Sequence, residues 1–184
     1  MLAFLYRFAE RYATGRNILI GLGLIVFFNI VLGQLPAWLG APDAFGSSGP
    51  PDLWYSYEGE ALYTAIGQWS ESGRKIYPLN SLLTDNLYAL TYGVTYLLLL
   101  WWLYSKSLPE KKWWRPWVVI LPLFTALMDW VENFSISKVC ATYPNHSIGA
   151  EIAPWASWLK WNGAAGVLLL FLLGLGALVV GKVK

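Results

Sequence analysis

Three stretches of this chain lack any charged residue for about twenty positions or more: Asn17 to Pro42, Asn86 to Ser105 and Trp161 to Gly181. Each can supply the roughly 20 apolar residues needed to cross ~30 Å of hydrocarbon as a helix. Inside a bilayer every backbone N–H and C=O must be satisfied within its own segment, so such runs leave an α-helical membrane protein as the expected fold. A fourth run, Pro116 to Ser137, is long enough but carries Asp129 and Glu132. Its opening half is apolar, and a crossing here lets the final span return to the first side. The expected fold is therefore all-α, an integral membrane four-helix up-down-up-down bundle forming one transmembrane domain over 1–184. Its spans are expected near 17–37, 82–105, 115–137 and 157–181, with an outer loop over 38–81.

Composition agrees: 57% of the residues are hydrophobic, 13% are charged and mean hydropathy is positive. A disordered chain or an ordinary soluble globule is excluded on that basis. A net charge of +2 without a Lys/Arg cluster gives no footprint for nucleic acid. Cys140 is the single cysteine, so no intramolecular disulfide can form.

Lys and Arg set the expected orientation. Arg7, Arg11, Arg16, Lys106, Lys111, Lys112, Arg115, Lys182 and Lys184 fall on one side, out of 13 basic residues in all. That side reads as the cytoplasm and holds both termini, in a plasma or inner membrane. Arg74, Lys75, Lys138 and Lys160 are assigned to the outer side. Trp101, Trp102, Tyr104, Trp113, Trp114 and Trp117 flank the inner connection, and Trp38, Trp155, Trp158 and Trp161 the outer ends, as interface anchors. A cleaved signal peptide is the competing reading of the first span. It is disfavoured because Ile18 to Leu35 exceeds the usual apolar length and the best downstream cleavage site lacks a small residue.

The first sixteen residues set Phe4, Leu5, Phe8 and Tyr12 against Arg7, Glu10 and Arg11, a short amphipathic helix on the inner face. In the outer loop, Gly46 to Pro51 reads as a turn. From Asp52 as N-cap, Trp54, Tyr57, Ala61, Leu62, Ala65, Ile66 and Trp69 recur at helical spacing, and Gly73 is the expected stop. This outer-face amphipathic helix would lie on the leaflet or roof the bundle as a lid.

Nucleotide, dinucleotide, esterase-elbow and common zinc motifs are absent. One histidine, His146, and one cysteine leave no nitrogen- or sulfur-rich metal site, so no metal or cofactor is assigned. The N-x-[ST] matches at Asn133 and Asn145 read as chance. The chemistry that remains is acidic. Asp129, Glu132 and Asn133 fall at i, i+3 and i+4 and share one helix face. Asp129 lies about 20 Å along a ~30 Å core, in its outer half. Carboxylates at that depth cost a few kcal/mol unless paired or wetted, and the helix dipole disfavours them in that half of the helix. Two acids one turn apart cannot both ionise cheaply, so at least one is expected to keep its proton, Glu132 rather than Asp129, and the two are expected to form the catalytic pair. On the second span Asp85, Tyr88 and Tyr92 share a face, with Asp85 also fitting an N-terminal cap. Arg74, Lys75 or Lys138 would supply the counter-charge. The ligand-binding set is then Asn133, Asp85, Tyr88, Tyr92 and Arg74.

Three functions fit: an outward-opening polar pocket that binds or modifies a lipid-like amphiphile, an accessory subunit of a larger membrane complex, or a proton- or ion-coupled carrier. The expected partners are membrane lipids, with a membrane-protein partner or a second copy as alternatives.

Overall fold

The computed structural model describes residues 2–46 and 49–183. Ser47 and Ser48, at the centre of the expected turn, lie outside the described residues. Every long element is helical: α1 (Leu2–Tyr12), α2 (Gly15–Trp38), α3 (Gly59–Gln68), α4 (Glu71–Leu79), α5 (Asn86–Ser107), α6 (Arg115–Thr142) and α7 (Gly149–Val183). Among the described residues there is no strand. Among the described residues four helices are long and apolar enough to cross a membrane: Gly15–Trp38, Glu71–Ser107, Arg115–Thr142 and Gly149–Val180.

The helices pair through small residues at close approaches. A Cβ on Gly21 of α2 would strike the Thr95 side chain of α5, and one on Gly163 of α7 would strike Thr125 of α6. Gly93 abuts Ala126, Gly166 abuts Leu121 and Gly174 abuts Leu103. In hydrocarbon, where lipid is as apolar as leucine, such backbone proximity is what favours helix on helix. Along α5 and α6, Asp85 meets Asn133, Tyr92 meets Asp129, and Trp101 meets Trp114. Along α6 and α7, Gly149 lies against Ser135, Lys160 against Asp129 and Gly166 against Leu121.

Burial differs among the four long helices. Only 6% of the most apolar window of α2 is buried, against 56% for the helix containing α5 and 50% for α6. The core at the end of the bundle that carries the α5–α6 connection gathers Leu97, Leu100, Trp101, Tyr104, Trp114 and Val118, covered by Ala9, Leu5, Tyr6 and Phe8 of α1. Trp101 and Trp114 are therefore core residues rather than interface anchors. Their rings meet at 5.2 Å, and the Trp114 indole donates to the Leu108 carbonyl at 3.2 Å. Trp113 and Trp117 remain exposed as expected.

The outer loop departs most from expectation. Its single helix from Asp52 is instead a 3-10 turn, Pro51–Leu53, then irregular chain with a bend at Tyr55 and Ser56, then α3, a break at Trp69 and Ser70, and α4. Trp54 and Tyr57 thus lie on a strap and not on a helical stripe. Gly73 does not stop a helix. It lies inside α4, where a Cβ would collide with the Ala44 carbonyl. Ser70 caps α4 by accepting from the Gly73 N–H at 3.0 Å. On the buried face of α3, Leu62, Tyr63 and Ile66 pack with Ile136, Val139, Ala150 and Ala153 of α6 and α7. It is a roof of the bundle, not a helix lying on the leaflet.

Helix α4 runs into α5 without a break, through a π-helical turn at Asn80–Asp85. Pro78 removes a backbone donor two residues upstream, and the widened turn re-registers the ladder, with the Asn86 N–H bonding to the Ser81 carbonyl. The second span consequently begins well before residue 82. The third continues to Thr142 and the fourth starts at Gly149, both a turn or more beyond the expected limits.

Candidate functional site

The acids expected to share a face do so in the interior of the bundle. Asp129, Glu132 and Asn133 are 5%, 0% and 0% exposed. The group that joins them is Lys160 of α7. Its Nζ lies 2.6 Å from Glu132 Oε2 and 3.3 Å from Asp129 Oδ1, and it donates to the Asp52 backbone carbonyl at 2.7 Å. The ammonium is thereby in contact with three oxygens, two of them carboxylate. Each carboxylate is engaged at its other oxygen by a phenol: Tyr92 donates to Asp129 Oδ2 at 2.9 Å and Tyr57 to Glu132 Oε1 at 2.8 Å. A carboxylate held between an ammonium and a phenol is fixed in orientation, which is how a buried ionic group is tolerated at low dielectric.

A second acidic cell adjoins the first. Asn133 Nδ2 donates to Asp85 Oδ2 at 2.8 Å and to Asn86 Oδ1 at 3.1 Å, while the Trp130 indole donates to the Asn86 carbonyl at 2.8 Å. Asn133 Oδ1 is buried without a hydrogen-bond partner. Asp85 does not cap a helix, as the continuous backbone through the π turn leaves no free helix start there. It is a buried acid, 8% exposed.

The remaining expectations divide. The Tyr88 hydroxyl accepts from Asn29 of α2 at 3.2 Å and shares an edge-on contact with Tyr92 at 5.3 Å, so it is a neighbour of the site rather than a contact of the acids. Arg74 is elsewhere. It donates to the Trp69 carbonyl at 2.6 Å and the Ile66 carbonyl at 3.2 Å, terminating α3, and its guanidinium covers the Tyr143 ring. Lys75 pairs with Glu71 on the surface, and Lys138 is exposed. None of the three is the counter-charge. Lys160, set between Trp158 and Trp161, carries the pattern of an outer-flank anchor. The antiparallel register of α6 and α7 would have been needed to align it with Asp129.

The strap completes the enclosure. The Tyr77 hydroxyl donates to Asp52 Oδ1 at 3.1 Å, and Ser157 donates to the Trp54 carbonyl at 2.8 Å. Burial pushes the Tyr57 phenol above its ordinary value, and the Glu132 carboxylate adds to the effect, so it remains a proton donor in the hydrogen bond. Burial likewise raises the Asp52 carboxyl, with Lys160 opposing and Asp129 assisting. Two surface grooves lie apart from this centre. One, about 590 Å³, is lined on the outer face by Glu58, Tyr63, His146 and Glu151; the other, about 340 Å³, lies between α2 and α5 beside Gly21 and Thr95. Among the described residues no group of His, Cys, Asp and Glu side chains has the arrangement of a metal site.

The Asp52 shift has a pH consequence. A carboxyl raised on folding holds its proton more tightly when the strap is docked, so its contribution is fully present below the ordinary carboxyl value. It is lost as pH rises through the raised, docked value. The thermal midpoint of the detergent-solubilised protein is expected to fall from about pH 4 upward relative to that of Asp52→Asn. A constant difference between the two across that range would contradict the assignment.

Compared with protein-family models, curated proteins and solved structures, the chain matches none.

Proposed function

We propose that the chain is a polytopic membrane protein, one transmembrane domain folded as an up-down-up-down four-helix bundle, that binds or modifies a lipid-like amphiphile. The centre is Asp129, Glu132 and Lys160, with Tyr92 and Tyr57 orienting the acids and Asn133 and Asp85 beside them. The antiparallel pairings of α5 with α6 and of α6 with α7 support the topology. The bias of basic residues supports cytoplasmic termini in a plasma or inner membrane.

One observation carries the functional reading: two carboxylates, Asp129 and Glu132, contact a single ammonium, and two further acids, Asp52 and Asp85, lie close enough to act on the same group through the electric field. A lock that only fixes helix register needs one acid for one base. Surplus acids in the outer half of a membrane bundle, held by phenols, are the equipment of acid–base work or of polar-head recognition. The closed state of the centre favours a second reading, an accessory subunit in which the cluster is a register lock.

Mass spectrometry of the protein purified in mild detergent separates the two. A stoichiometric lipid that is lost on Glu132→Gln is the expected result. A stoichiometric protein partner, retained by that variant with no lipid, would replace the first reading by the second. For orientation, single cysteines at positions 56 and 110 in a Cys140→Ser background are expected to label from the outside and the inside respectively. The reverse pattern would overturn the topology.

A further inference from the structure

The strap over the centre is built from the chain's own polar groups, and each of its anchors is a bond that a ligand could take over. The Asp52 carbonyl accepts from Lys160 at 2.7 Å, and the Tyr57 hydroxyl fills the free oxygen of Glu132 at 2.8 Å. Between them Leu53 and Tyr55 are 67% and 58% exposed, while Trp54 is half-buried with its ring edge-on to Tyr57 at 5.6 Å. Behind it, Asn133 Oδ1 is fully buried and without a donor.

We propose that the strap from Pro50 to Glu58 is a displaceable plug that occupies the polar-head site, and that the ligand is an amphiphile with an uncharged head bearing both an acceptor and a hydroxyl. A glycerol ester has that chemistry. The ester carbonyl replaces the Asp52 carbonyl on Lys160, and the hydroxyl replaces Tyr57 on Glu132. An anionic head meets the surplus of carboxylates, and a cationic head meets the ammonium at the entrance. The Asn133 oxygen takes a second hydroxyl where the head has one. This inference rests on the centre being a ligand site, and it adds the class of ligand and the means of closure.

The test measures binding of a fluorescent diacylglycerol to the full chain in mild detergent, with phosphatidate and a long-chain amine as competitors. Tyr57→Phe removes the plug's bond to a charged acceptor and is expected to tighten diacylglycerol binding by about tenfold. Cysteines at Trp54 and Ser157, in a Cys140→Ser background, are expected to abolish binding when oxidised and restore it when reduced. Phosphatidate and the amine are expected to compete at least tenfold less well than unlabelled diacylglycerol. Unchanged affinity in both strap variants overturns the plug, and equal competition by either charged lipid overturns the uncharged head. If Glu132→Gln abolishes binding while the strap variants bind as wild type, the ligand site stands and the plug alone falls. If no diacylglycerol binds but another lipid co-purifies, the head assignment alone falls.

Discussion

Lys160→Met is expected to be the most damaging single change in this protein. It leaves Asp129 and Glu132 buried at 5% and 0% exposure without their cation. Removing one partner of a buried ion pair costs about 3–5 kcal/mol, because the charge left behind is unpaired at low dielectric. For a small domain that is a large part of the whole stability. The matching measurement is thermal or denaturant stability in detergent. Adding Asp129→Asn and Glu132→Gln to Lys160→Met is expected to return much of the loss, since the uncompensated charges disappear with their acids. A triple variant no better than Lys160→Met would mean that the ammonium acts through its bond to the Asp52 carbonyl and not through the acids.

Glu132→Gln is expected to divide stability from function. Gln keeps the shape, and its amide oxygen still accepts from either Lys160 or Tyr57, so the fold should lose no more than about 1–2 kcal/mol. The exchangeable proton is gone, and ligand retention should fall with it. Asp129→Asn differs, because its carboxylate joins Lys160 to Tyr92 across α5, α6 and α7, and stability should fall together with function. Melting curves and lipid retention on the same preparations decide the matter. Should both variants lose function only in proportion to lost stability, the cluster is a register lock.

The sequence shows these parts unequally, for physical reasons. Uncharged apolar runs identify three helices of membrane-spanning length, an apolar opening and the return of the chain add a fourth, and helical spacing sets Asp129, Glu132 and Asn133 on one face. Apolar runs and helical spacing are local properties of a helix, and the structure keeps them. The identity of the counter-charge is not local. Lys160 looks like a surface anchor until the register of α6 against α7 is known, whereas Arg74 looks better placed because it precedes Asp85 by only eleven positions. The strap was hidden for the same reason. Trp54 and Tyr57 have helical spacing with Ala61 and Leu62, but the bonds from Ser157 and to Glu132, 103 and 75 positions away, outweigh that local preference. The π turn at Asn80–Asp85 has no pattern of its own, and it removes the free helix start that would have made Asp85 a cap.

The location of the cation has a consequence for biosynthesis. Lys160 follows Asp129 by 31 residues. At roughly 5–20 residues per second, the third crossing exists for about 2–6 s before its counter-ion has been synthesised. During that interval α6, the crossing with the acids, has no internal means of neutralising them. The two most apolar helices differ in timing: α2, with mean hydropathy 2.4, is made first and is apolar enough to enter lipid unaided, and α7, at 2.5, is made last and carries the lysine. The acidic helix is therefore expected to commit to the membrane late, after the last apolar helix has been made. Truncation of the nascent chain before residue 160 should leave α6 extractable from the membrane while α2 stays embedded.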